Sequence, residues 1–338
     1  MTGVLVAAGA VLVTVALVDV AWTTVTAGSG AGPLTSRLAR RLWRLALALH
    51  GRRPSHVLLS VAGVTIVFAV LATWIALALA GWALVFGASD GAVRTAETGT
   101  AADLVARLYF TGYSVFTLGN GDYAPGEGAW QLATVLATGT GLMLVTLSIS
   151  YLVPVASAVA QRRQLAIYIA SLGTSPHEIL ARSWTGVGFG SLAQHLVSLT
   201  PLVHAAHQSH LAYPVLHYFH SQDRQSAAAP NLANLANLAQ ALHLLRHGVA
   251  PDIRPDPAAL APLDAALGLF LDTVRRAFLG PSSPPLDVPP LGPLRAAGVP
   301  VVDDANCTYQ ASAPATEQRR ARLADLLVDD GWPTDEGS

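Results

Sequence analysis

Three stretches of this chain are long and apolar enough to cross a bilayer: about Val4–Val25, His56–Phe86 and Trp130–Val159. A hydrocarbon core takes ~20 apolar residues to span. Lipid offers the backbone no hydrogen-bond partner, so each stretch predicts a helix. Composition agrees, with 52% of 338 residues hydrophobic and only 12% charged, where an ordinary soluble domain carries about 25%. The deficit is uneven, which predicts a membrane part with a soluble part attached.

Arginine placement orients the spans. Every basic side chain is arginine, and Arg37, Arg40, Arg41, Arg44, Arg52 and Arg53 stand between spans one and two with no acid among them. Arg162 and Arg163 follow span three, while residues 88–106 hold one arginine and three acids. Excess arginine marks the cytoplasmic side. The expectation is a multi-pass cell-membrane protein with its N-terminus and residues 88–128 outside and everything after 160 in the cytoplasm. Span one lacks a basic leader and exceeds the apolar run of a cleaved signal. Cleavage near Ala27 would also leave the arginines outside, so it reads as a retained helix. Asp19 within it is either a functional intramembrane carboxylate or, near the cytoplasmic end, one reached by water or an arginine. Leu34, Leu38, Leu42, Leu45 and Leu49 follow helical spacing, with Arg37, Arg40, Arg41 and Arg44 on another face. That pattern reads as a basic amphipathic helix on the inner membrane surface, its arginines near anionic headgroups. An ordinary positive-inside linker would give the same topology.

Between spans two and three, Asp103–Phe116 predicts a helix too short to span, running at once into Thr117-Leu118-Gly119-Asn120-Gly121-Asp122. Irregular backbone at membrane depth is tolerated only where it lines a watery cavity or is covered by protein. The stretch Tyr113-Ser-Val-Phe-Thr-Leu-Gly-Asn-Gly-Asp122 resembles the pore signature of potassium channels, written T-V-G-Y-G-D, and the resemblance covers about Val57–Arg163. It implies an all-α, tetrameric pore: outer helix, pore helix, filter and inner helix, here with an extra N-terminal span and a C-terminal helical domain. It implies that carbonyls of Thr117, Leu118, Gly119 and Asn120, with the Thr117 hydroxyl, replace the water of a permeating potassium ion. Glycines at 119 and 121 tolerate the positive φ that alternating carbonyls demand. The pore helix would aim its negative end at the cation, and Asp122 would concentrate cations at the outer mouth. One loop is a quarter of a ring, so the partner is the chain itself, as a homotetramer.

Two departures matter. Leu118 stands for Val, which changes little because the carbonyl does the work. Asn120 stands for the Tyr that braces the filter in the family; Asn can hydrogen-bond, to Tyr109 or Tyr113, but cannot pack as an aromatic does. The expectation is a softer filter with weaker discrimination against sodium. In span three, Gly139 is a candidate hinge or a close-packing point, and Val153-Pro154-Val155 is a candidate kink. No span carries arginines at every third position, so a voltage sensor of the usual kind is not expected.

From 164 to 280 the pattern is helical: Leu165–Leu172, Pro176–Trp184, Ser191–His210, Tyr213–His220, Asn231–His247 and Ala258–Phe278. Residues 281–338 read as a Pro-rich segment and a last helix, Thr316–Val328. These divisions give four expected regions: 1–55, 56–163, 164–280 and 281–338. Gly186-Val-Gly188-Phe-Gly190 lacks the preceding strand of a dinucleotide site. Nine of eleven histidines lie in 177–247. His204, His207, His217 and His220 are candidate metal ligands or pH sensors, or polar packing in a bundle. Cys307, the one cysteine, reads as an inert thiol.

A net charge of −1 gives no reason to expect a nucleic-acid partner. No catalytic motif argues for an enzyme, and no resident cofactor is expected beyond the permeant ion. The functional reading is passive conduction of monovalent cations, chiefly potassium. A weakly selective sodium/potassium channel and a non-channel membrane sensor built on the histidines are the alternatives.

Overall fold

Each apolar stretch forms one unbroken helix in the computed structural model, which describes residues 2–25, 31–52, 56–219, 228–278, 289–303 and 309. The order is α1 (Thr2–Val25), α2 (Pro33–Arg52), α3 (His56–Gly87), β1 (Val93–Thr95), α4 (Leu104–Val115), β2 (Tyr123–Pro125) and α5 (Ala129–Leu172). There follow α6 (Pro176–Ser183), α7 (Leu192–Ala212), α8 (Ala228–His243), α9 (Pro257–Phe278) and α10 (Gly292–Ala296). Three of these, α1, α3 and α5, are long and apolar enough to span a membrane. Helix α5 runs on past Arg162 and Arg163 and absorbs Leu165–Leu172 as its last turns. At 1.5 Å per residue it is about 66 Å long, twice a ~30 Å hydrocarbon core. The arginines end the apolar run without ending the helix.

The chain divides into two compact units, Met1–Arg44 with Val64–Val155, and Leu45–Gly63 with Ala156–Ser338. In the first, α1 lies against α3 through glycines. A Cβ placed on Gly81 would stand 2.7 Å from the Gly9 carbonyl oxygen, and one on Gly9 would overlap the Gly81 carbonyl. Small residues let backbones approach this closely. Further along the same helix Asp19 is buried, 2% exposed. Its carboxylate accepts from Leu34 N at 2.8 Å, from the Thr35 hydroxyl at 2.6 Å and from the Trp74 indole N–H at 2.9 Å. Asp19 therefore caps the N-terminus of α2, where a negative charge is favoured, and ties it to α3. Backbone amides, the Thr35 hydroxyl and the Trp74 indole satisfy this carboxylate.

The second unit buries a core of leucines from α5 to α10, with Leu196, Leu199 and Val203 of α7 and Leu260, Leu263 and Leu267 of α9 at its centre. Ser175 caps α6 by accepting from Glu178 N at 3.1 Å. The glycine run joining α6 to α7 is a turn closed by Thr185 on Gly188, and no strand precedes it. Residues 213–219 do not make the expected α-helix. Pro214–Tyr218 is a short 3-10 turn. The expected helix ending at His247 stops at His243 and continues as a π-turn, Leu244–Gly248. The expected helix Thr316–Val328, Cys307, His220 and residues 281–288 lie outside the described residues.

Burial in this unit sets a pH dependence. His243 is buried, its ring 4.9 Å from that of His247 and 5.9 Å from Tyr309. Burial, with the charge of His247 adding and Asp264 opposing, pushes its pKa down from 6.5 to about 4. His207 and His247 are lowered too, again chiefly by burial. The unfolded chain thus binds protons first on acidification. Stability is complete above about pH 6.5 and falls between there and pH 4, by roughly 3 kcal/mol for His243 alone. Chemical denaturation of the full-length protein in detergent at pH 7.5 and 4.5 should show that loss, and His243→Gln should reduce it; equal losses in both proteins would contradict the assignment.

Candidate functional site

The short helix α4 is built to carry a loop. Asp103 caps it by accepting from Ala106 N at 2.8 Å, and Phe116 closes its C-terminus on Gly112. These are the bounds the sequence predicted. Arg107 anchors the N-terminal end, donating to the Ala102 carbonyl at 2.9 Å and pairing with Asp90. Antiparallel β1 and β2 join the segment after α3 to the segment after the loop, in the register Val93–Pro125, Arg94–Ala124 and Thr95–Tyr123. Ala96 N adds a bond to the Asp122 carbonyl at 3.0 Å. This ladder was not foreseen; three-residue strands carry no readable period.

Between α4 and β2 the backbone alternates in hand. Thr117, Gly119 and Gly121 have φ of 60°, 60° and 84°, while Leu118 and Asn120 between them stay outside the left-handed region. Alternation of this kind turns successive carbonyls to one side of the chain. The glycines adopt it freely. Thr117 is β-branched, and positive φ there is strained by on the order of 1–3 kcal/mol, a cost that sequence reasoning missed. Residues 116–122 are exposed in the single chain, Leu118 at 67%.

An aromatic cuff flanks the loop. Tyr109 lies 5.2 Å from Tyr113 and 6.1 Å from Tyr123, both edge-on. The Asn120 amide donates to the Tyr109 hydroxyl, which in turn donates to Asp122 at 3.4 Å. Of the two tyrosines considered for Asn120, Tyr109 is the partner. Tyr113 is buried and donates to the Tyr123 carbonyl at 2.6 Å.

Depth is set by Gly141. A Cβ there would overlap the Val115 carbonyl oxygen, so the C-terminal end of α4 rests directly on α5. Gly141 stands twelve residues on from Ala129, about 18 Å along the helix. Gly139, the residue singled out from the sequence, has open space around it. Pro154 lies within the continuous α5.

The two described candidate histidines face different surroundings. His204 is exposed, whereas His207 is buried with its ring 6.5 Å from Phe270. The His217 side chain and His220 lie outside the described residues. Among the described residues no three His, Cys, Asp or Glu side chains group to hold a metal.

Residues 70–158 match a family model described as "Ion channel". A Bacillus subtilis (strain 168) protein, printed as "Uncharacterized membrane protein YdjJ", is 31% identical over 344 residues, covering 97% of this chain and 95% of its own length. The chain belongs to the two-helix ion-channel family. The matched span runs from within α3 to within α5 and contains α4 and the 117–122 loop. As an ion channel it conducts ions passively across a membrane, a role that needs no catalysis. Helix α1 and most of the second unit lie outside the family model but inside the alignment with YdjJ. No solved structure matches.

Proposed function

We propose that four copies of this chain form a passive pore for monovalent cations, chiefly potassium, lined by the carbonyls of Thr117, Leu118, Gly119 and Asn120. The observation that carries this reading is the alternation of left-handed φ at 117, 119 and 121. It supports a row of inward carbonyls able to replace a cation's water. Two further features agree. The loop begins about 18 Å down α5, the depth of a bilayer interior, and its residues are exposed in one chain. Bare irregular backbone does not face lipid, so symmetry copies around one axis must cover it. The N-terminus and residues 88–128 face outward, and the residues after 160 lie in the cytoplasm, from arginine placement.

Selectivity is the finer question. Asn120 meets Tyr109 through one hydrogen bond, where the resemblance implies an aromatic brace. The pore therefore prefers potassium less strictly than tyrosine-bearing relatives. The test is planar-bilayer recording with potassium on one side and sodium on the other. Wild type should show a reversal potential short of strict potassium selectivity, and Asn120→Tyr should raise the preference about tenfold, equivalent to ~1.4 kcal/mol. Single-channel steps establish conduction. Selectivity as strict as in tyrosine-bearing relatives would refute the softer filter, and coupled flux without steps would refute the channel.

A further inference from the structure

We infer that the arginine row of α2 is a docking surface for the anionic phospholipid of the bilayer itself, and that Asp19 couples its occupancy to the outer helix α3. The coupling rests on the conduction reading above; the docking does not. Arg37, Arg40, Arg41 and Arg44 recur at helical spacing and are all exposed. At 3.6 residues per turn they fall opposite the buried Thr35, Ala39 and Trp43. No acid occurs in α2, and among the described residues none of the four arginines is in an ion pair. Four unneutralised guanidiniums on one stripe call for phosphate-like anions.

Chain length selects the source of those anions. Seven residues join α1 to α2 and three join α2 to α3, reaching at most about 25 Å and 11 Å. Both neighbours are spanning helices, so α2 cannot leave the membrane boundary. Leu34, Leu38 and Leu42 flank the arginine row on the remaining side, as an interfacial helix requires.

The transmission runs through hydrogen bonds to one buried carboxylate. One carboxylate oxygen of Asp19 accepts from Leu34 N, and the other accepts from both the Thr35 hydroxyl at the start of α2 and the Trp74 indole of α3. Gly32 is required beside it, since a Cβ there would overlap the carboxylate. Headgroups that hold α2 flat keep this clamp closed and α3 in place. Without them the α2 end of the clamp is loosened, and flux falls.

The experiment uses full-length protein in vesicles of phosphatidylcholine alone, or with a third phosphatidylglycerol. Lipid retained after detergent extraction from the mixed vesicles reports docking independently of flux. Wild type should retain phosphatidylglycerol over phosphatidylcholine about threefold above the bulk ratio, and the quadruple Arg→Gln variant at 37, 40, 41 and 44 should show no enrichment. Wild-type cation flux should be about fivefold faster in the anionic vesicles. Asp19→Asn and, if that fails to fold, Trp74→Phe should keep the lipid enrichment but lose the flux response. Equal retention by wild type and the quadruple variant overturns the docking. Inorganic phosphate reproducing the flux increase in neutral vesicles overturns the bilayer as ligand. Enrichment with equal flux in both vesicles overturns the coupling, whereas no flux from any protein in any vesicle sinks the conduction reading and leaves docking to be decided by retention.

Discussion

Gly141→Ala should abolish ion conduction and sharply reduce folded protein, while Gly139→Ala should fold as the parent does. The reason is backbone against backbone. A methyl at 141 would occupy the space of the Val115 carbonyl oxygen, and no rotamer change can relieve it, because neither partner is a side chain. Either α4 lifts from α5 or α5 bends. Overpacking of this kind costs about 1–3 kcal/mol where side chains can yield, and more where they cannot. Val115 is also one residue from the cap and two from Thr117, so any shift passes directly into the left-handed loop. In the proposed tetramer every chain carries the same displacement. At 139, among the described residues, nothing outside the helix's own turn lies within 4 Å of the added methyl. Thermal unfolding in detergent separates the two variants, and bilayer recording tests the first. Wild-type currents from Gly141→Ala would show that the contact does not position the loop.

Tyr109→Phe should lower the preference for potassium over sodium by about tenfold, ~1.4 kcal/mol, and make open-state currents run down. The phenyl ring keeps the edge-on contacts with Tyr113 and Tyr123. The bridge to Asn120 and Asp122 is lost. Each net hydrogen bond is worth about 0.5–1.5 kcal/mol, and four chains would lose theirs around one axis. Because packing is preserved, Tm should move little while the reversal potential moves markedly. Tyr113→Phe makes a useful contrast. It frees the part-buried Tyr123 carbonyl from its 2.6 Å bond, so it should cost stability as well. Unchanged reversal potentials in Tyr109→Phe would show that the hydroxyl bridge does not hold the loop.

How much of this was readable from residues alone depends on the range of the forces involved. Helices α1, α3 and α5 follow from apolar length, since lipid leaves a backbone no alternative to bonding itself. The bounds of α4 were readable as well, because Asp103 caps through its own neighbour three residues on. The glycines at 119 and 121 announced positive φ; Thr117 did not, because threonine disfavours it and is held there by bonds from Thr117 N and Leu118 N back into α4. The histidine cluster looked like a ligand set in sequence, but one helix turns His204 to solvent and His207 to the core.

Local chemistry and hydropathy were thus enough to determine the spans, the short helix, the glycine-bearing loop and the basic face of α2. Tertiary contact alone decided that Asp19 clamps three helices across 55 residues of sequence to Trp74, that Gly141 rather than Gly139 seats α4, and that Tyr109 rather than Tyr113 holds Asn120. Such pairings join groups far apart in the chain, and no periodicity or propensity encodes which distant partner a buried polar atom or a bare glycine will meet until the helices have packed.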